Sequence, residues 1–160
     1  MNPSLWLLAL LVVGFPATGS AQPSLNICLD ITKKDFRMFN FNTQTLTNMC
    51  HCVNAKNRGA WPSESDWLKR GKNQHAAMAY DCGKEKITAY HAEILEQSLI
   101  PELKKRGFTP DEIRSVSVCA APSAFSLARN MFVDDTRQAR AEDENAVILK
   151  ARECQMTVKK

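Results

Sequence analysis

The chain has 160 residues, with 21 Lys and Arg against 17 Asp and Glu and a formal net charge of +4. That length suits one domain of ordinary size. The basic residues are scattered among acids as Lys33-Lys34, Lys69-Arg70, Lys84/Lys86 and Lys104-Lys105-Arg106, which argues against the gathered basic stripe of a nucleic-acid protein. Only six glycines and an aromatic content of 8% speak against a turn-rich all-β fold.

The first element in chain order is an uninterrupted apolar run from Leu5 to Phe15. It is too short to cross a bilayer, which takes about 20 residues. Pro16 breaks the run, and Gly19-Ser20-Ala21 supplies the small residues that a signal peptidase accepts. We expect cleavage after Ala21, a mature domain of residues 22–160, and a periplasmic or extracellular address. A membrane anchor is the alternative for this segment, which lacks a Lys or Arg ahead of its apolar run. No later segment is apolar enough to span a membrane.

Residues Gln22 to Lys34 are expected to form an extended N-terminal arm tethered by Cys28, because Leu25, Ile27, Leu29 and Ile31 alternate as in a short strand or an extended packed segment. An aromatic-rich stretch, Phe36 to Phe41, follows. Asn42-Thr43 offers N-cap chemistry for a helix through about Val53 or Ala55, ended by Asn57-Arg58-Gly59. Ser63-Glu64-Ser65-Asp66 has capping-box form and should open a helix to about Cys82, with Gly71 weakening its middle and Gly83 as a left-handed stop. Ile87, Tyr90, His91, Ile94, Leu95, Ser98, Leu99 and Leu103 recur at steps of three and four, one face of a long amphipathic helix that Pro101 kinks or divides and Gly107 closes.

Thr109-Pro110-Asp111-Glu112 joins a capping threonine, proline at the first helical position and two early acids. Ile113, Val116 and Ala120 give that helix a short apolar stripe. A further helix is expected from Pro122-Ser123, carrying Ala124, Phe125, Leu127, Ala128, Met131 and Phe132. Asp134 and Asp135 would cap a last segment that is charged to Asn145 and apolar from Ala146, with Val147, Ile148 and Leu149. The pattern predicts an all-α fold: a single disulfide-stapled bundle of five or six helices with an extended N-terminal arm.

Six cysteines, Cys28, Cys50, Cys52, Cys82, Cys119 and Cys154, all lie beyond the apolar leader. An even count behind a cleavable signal reads as a disulfide framework made in an oxidising compartment. In a helix, residues two apart point about 200° away from each other, so Cys50 and Cys52 should reach different partners. Cys28 and Cys82 are their candidates, in an order left open. Cys119 and Cys154 would then pair.

Three sharper chemistries compete with a purely structural role. Cys50-His51-Cys52 can be read as a reactive thiol pair, but a thioredoxin-like motif has two intervening residues and a βαβ setting. With Met38, Met49, His75, Met78 and His91 it also forms a soft-ligand set suited to copper, although the second close ligand pair of a zinc ribbon is missing. His75 and Asp81 share an expected helix, with His91 on the next, yet the sequence has no Gly-x-Ser-x-Gly elbow. On the apolar stripe, His91 reads as a hydrogen-bonded core histidine. No catalytic set, metal site or cofactor is therefore expected.

By elimination, the expectation is a secreted or periplasmic protein-binding module, such as an inhibitor or an immunity protein for a delivered toxin. Its contact surface would be the loop Asn57 to Pro62, with Arg58, Trp61 and Trp67 as candidate binding residues, since Trp and Arg are enriched at binding hot spots. Trp61 can equally be a core anchor. The alternatives are a carrier of a small apolar ligand in a cavity lined by Phe36, Phe39, Phe41, Phe125 and Phe132, and a thiol- or copper-handling protein centred on Cys50-His51-Cys52.

Overall fold

The computed structural model describes residues 21–68, 74–133 and 141–159. The chain is all-α. Its helices are α1 (Ala21–Asp35), α2 (Thr43–Lys56), α3 (Glu64–Leu68), α4 (Gln74–Cys82), α5 (Lys84–Lys105), α6 (Pro110–Val133) and α7 (Ala141–Val158), with a 3-10 turn at Arg37–Phe39. Six of the helices have nine residues or more. No strand occurs among the described residues. The expected leader lies outside them, apart from Ala21. So do Lys69 to Asn73, including Gly71, and the expected cap at Asp134 and Asp135.

The segment tethered by Cys28 is helical rather than extended. Its buried stripe is Cys28, Thr32 and Phe36, spaced at helical steps of four. The alternating Leu25, Ile27, Leu29 and Ile31 are only half-buried around that stripe. Thr32 keeps its hydroxyl satisfied inside the core by donating to the Cys28 carbonyl at 2.7 Å. Lys33 and Lys34 in the last turn complement the helix dipole. Asn40, at φ 49°, closes the 3-10 turn, a backbone conformation that asparagine tolerates better than most residues. Asn42 then caps α2, its Oδ1 accepting from the Thr45 N–H at 2.8 Å.

Gly83 is not a left-handed stop. At φ −92° it joins α4 directly to α5. A Cβ there would stand 2.9 Å from Met49 Cε and 3.0 Å from Ile87 Cδ1, so glycine serves the close approach of α2. Pro101 does not divide α5. Likewise Pro122 lies within α6, which is one helix rather than two. Val118, whose carbonyl loses its donor at Pro122, and Pro122 itself are both exposed, so the interruption falls on a solvated face.

Gly107, at φ 78°, closes α5. The Gly107 N–H bonds the Lys104 carbonyl and the Phe108 N–H the Leu103 carbonyl. With Phe108 packed near Leu103 in one apolar cluster, this is a complete Schellman ending. Thr109 opens α6 with a reciprocal box: its N–H donates to Glu112 Oε2 at 2.7 Å and its hydroxyl accepts from the Glu112 N–H at 3.3 Å.

Two apolar clusters result. The first gathers α1 to α4 with the start of α5 and Phe125 of α6, around Phe36, Met49, Val53, Trp67 and Tyr80. The second holds Leu103, Phe108, Ile113, Val116, Ala120, Ala151 and Cys154, from the end of α5, the start of α6 and α7. The long α5 and α6 contribute to both. In α7 the inward residues are Ala151, Cys154 and Gln155, whereas Ile148 and Leu149 are exposed at 50% and 61%.

Three disulfides cross between helices: Cys28–Cys50 joins α1 to α2, Cys52–Cys82 joins α2 to α4, and Cys119–Cys154 joins α6 to α7. They close spans of 22, 30 and 35 residues, each worth about 3–4 kcal/mol in the chain-entropy treatment.

Candidate functional site

The loop between α2 and α3 is built from local backbone rules. Asn57 caps α2, its side-chain Nδ2 donating to the Val53 carbonyl at 3.1 Å. Arg58 and Gly59 follow in left-handed conformations, at φ 59° and 80°. Glycine takes that geometry freely, while an arginine there carries local strain. The turn is held by the Gly59 N–H on the Asn54 carbonyl and the Ala60 N–H on the Asn57 carbonyl.

The three candidate binding residues have different fates. Arg58 is exposed. Trp61 is half-buried against the first cluster, with its ring centroid 6.1 Å from that of His51, which is itself exposed on α2. Trp67 corrects the sequence expectation. At 2% exposure it is a core residue, 5.4 Å from His75 between ring centroids, and it can support the loop from beneath but cannot present itself to a partner. His75 also meets the loop, with its Nδ1 3.3 Å from Asn57 Nδ2. Pro62 is buried, so the loop is pinned at both ends around an exposed Arg58-Gly59-Ala60 crest.

The groups weighed as catalytic are apart in function. Asp81 receives a bidentate pair from Arg129 of α6, at 2.7 Å to Oδ1 and 3.0 Å to Oδ2. That hydrogen bonding outweighs partial burial and holds the Asp81 carboxyl below its ordinary value, with Lys56 and Lys84 adding smaller charge effects. His75 faces Asn57 and Trp67 instead. His91 sits edge-on to Phe39 and Tyr90, its Nε2 buried without a hydrogen-bond partner. It lies on the apolar stripe as read, but burial without that bond pushes its pKa down.

All six cysteines are bridged. Cys50 and Cys52 therefore offer no thiolate in this oxidised state. Among the described residues, no three His, Cys, Asp or Glu side chains converge on a point where a metal ion would sit. The rings named for a ligand cavity pack on one another instead. Phe36 lies 5.8 Å from Phe39 and 5.2 Å from Tyr80, Phe125 lies 5.9 Å from Tyr80, and Phe41 stacks on Phe39 at 5.3 Å. The Phe132 side chain lies outside the described residues.

The contact between His51 and Trp61 had no signal in the sequence, because it depends on the angle at which the loop leaves α2. The Asp81–Arg129 pair was hidden for a similar reason: its members sit on helices brought together only by the first cluster. The chain matches no protein-family model, and no curated protein or solved structure is significantly similar to it.

Proposed function

We propose that the protein is an exported binding module that holds a protein partner through the crest of the α2–α3 loop, in the manner of an inhibitor or immunity protein. The observation that carries this is the held backbone turn at Arg58 beside the seated ring of Trp61. Arg58 is exposed on a left-handed turn, and Trp61 is half-buried beside exposed His51. A backbone turn and an indole already placed before binding lose little conformational entropy on association. The Cys52–Cys82 bridge stiffens α2 just below this loop. Three interhelical disulfides favour an oxidising compartment, which supports removal of residues 1–21 as a signal segment.

The test is capture of a partner from periplasmic or culture-medium proteins by the oxidised chain beginning at Gln22. Substituting Arg58→Ala together with Trp61→Ala should abolish capture of a stoichiometric partner, with the helical circular dichroism unchanged. Undiminished capture by the double variant would remove this loop from the interface.

A further inference from the structure

A second surface lies at the opposite core, and it is independent of the loop. The end of α5, the turn after it and the last turns of α7 enclose an open cleft of about 440 Å³, lined by Arg106, Phe108, Arg152, Gln155, Met156 and Lys159. Three of these six side chains are cations, and none makes an ion pair with a carboxylate among the described residues. Glu112, whose charge Lys159 feels, is already engaged by the backbone and hydroxyl of Thr109. A different cleft, lined by Asp30, Lys33, Lys34 and Arg37, contains its own acid.

Two of the cations are positioned by neutral acceptors. Arg106 Nη1 donates to Gln155 Oε1 at 2.6 Å. Lys159 Nζ donates to the Arg106 carbonyl at 3.1 Å and lies 4.2 Å above the Phe108 ring. Those contacts fix the groups while leaving positive charge and donors unspent: a guanidinium has five N–H groups and an ammonium three. Arg152 is exposed and makes no hydrogen bond or ion pair among the described residues. Beside these charges lies the apolar side chain of Met156, 66% exposed, while Phe108 is buried at 6% beneath Lys159.

We infer that this cleft binds a phosphoryl group carried on an apolar body. Three cations, one from the end of α5 and two from the end of α7, suit a group with three outer oxygens, and arginine forks match phosphate geometry. A carboxylate, with two oxygens, would be satisfied by one arginine alone. The apolar body then rests on the exposed Met156. A free alkyl or aryl phosphate monoester and the headgroup of phosphatidic acid share this chemistry.

Titration calorimetry with hexyl phosphate, hexanoate and inorganic phosphate tests the assignment on the oxidised chain. Hexyl phosphate should bind about tenfold tighter than either of the others, and Arg152→Gln should weaken it about tenfold, the value of one charged hydrogen bond. Binding should also weaken as salt rises. Because Arg152 is exposed, its replacement should leave the melting temperature unchanged. Met156→Glu, which sets a negative charge at the rim, provides a second variant with the same expected loss.

A sedimentation arm separates the sources. Vesicles of phosphatidylcholine with about one-third phosphatidic acid should carry the wild type down, and the Arg152→Gln variant much less, if the source is a headgroup. Binding of hexyl phosphate without sedimentation assigns a soluble phosphate. The proposal is overturned if hexyl phosphate fails to bind and vesicles fail to sediment the protein, if hexanoate binds as well as hexyl phosphate, or if both variants bind like the wild type.

Discussion

Gly83 and His91 show how single positions carry constraints that their residue types alone do not reveal. Glycine at a helix junction suggests a need for positive φ, yet Gly83 has an ordinary φ and is short of space instead. Gly83→Ala should therefore destabilise the fold by about 1 kcal/mol, at the low end for overpacking because the obstructing Met49 methyl can move. Urea unfolding measures this, and a stabilised variant would show that the packing relaxes freely. His91 works through protons. Its folded pKa is pushed below the ordinary 6.5 by burial, so the unfolded chain takes up a proton before the folded one does. Its contribution to stability is complete above its unfolded pKa and is lost as pH falls below it. Asp81 acts in a lower window, losing its contribution as pH falls through a carboxyl pKa already depressed below 3.8. His91→Phe should flatten the fall in melting temperature between about pH 7 and pH 5 while leaving the acid limb in place. Equal slopes in the two proteins would remove His91 as the cause. At this scale the loop was legible where its chemistry is local: the helix stop at Asn57-Arg58-Gly59 follows from neighbouring residues. Trp67 was not, since whether an indole faces in or out depends on His75 of α4 and on α1.

Among the helices, sequence periodicity served well where the buried face is made of aliphatic residues and poorly where it is not. The α5 stripe contains Ile87 and Leu103, both fully buried, and the Thr109-Glu112 box is formed as a box. In α1 the inward positions are a half-cystine and a threonine, with Phe36 just past its end, so Leu25, Ile27, Leu29 and Ile31 imitated a strand. In α7 the reverse occurs: Ile148 and Leu149 suggested an inward face, but the Cys119–Cys154 bridge turns Ala151 and Cys154 inward instead. Pro122 misled in another way, marking a helix start that α6 passes through. Because its missing donor falls on an exposed face, Pro122→Ala should restore a hydrogen bond and raise stability by about 1 kcal/mol, less than the full interior penalty because proline also restricts the unfolded chain. Thermal unfolding is the check, and a lower melting temperature would mean that the proline shapes the helix productively.

For the whole molecule, the uneven distribution of bridges matters. The first cluster is tied by Cys28–Cys50 and Cys52–Cys82, while the described part of the second has Cys119–Cys154 alone. Replacing both Cys119 and Cys154 by serine should cost about 3–4 kcal/mol, concentrated in α7. In the chain from Gln22 the tryptophans are Trp61 and Trp67, both in the first cluster. Amide exchange should accelerate across Ala141–Val158 with no shift in tryptophan emission, whereas a shift would show that the clusters unfold as one. The phosphoryl cleft was the least legible part of the molecule. Arg152 and Lys159 stand two helical turns apart in one stretch, but Arg106 comes from far upstream, and only the meeting of two helix ends brings it to the same opening.

The bridges also follow a simple order. Along the chain each cysteine pairs with its nearest unpaired neighbour: first with second, third with fourth, fifth with sixth. A polypeptide threaded N-terminus first into an oxidising space would deliver each partner immediately after the thiol that awaits it. An oxidase joining thiols by order of arrival would then produce the native set directly, and no shuffling step is required. Peptide mapping under non-reducing conditions should find the same three bridges in cells with and without a disulfide isomerase; scrambled bridges in its absence would show that arrival order is insufficient.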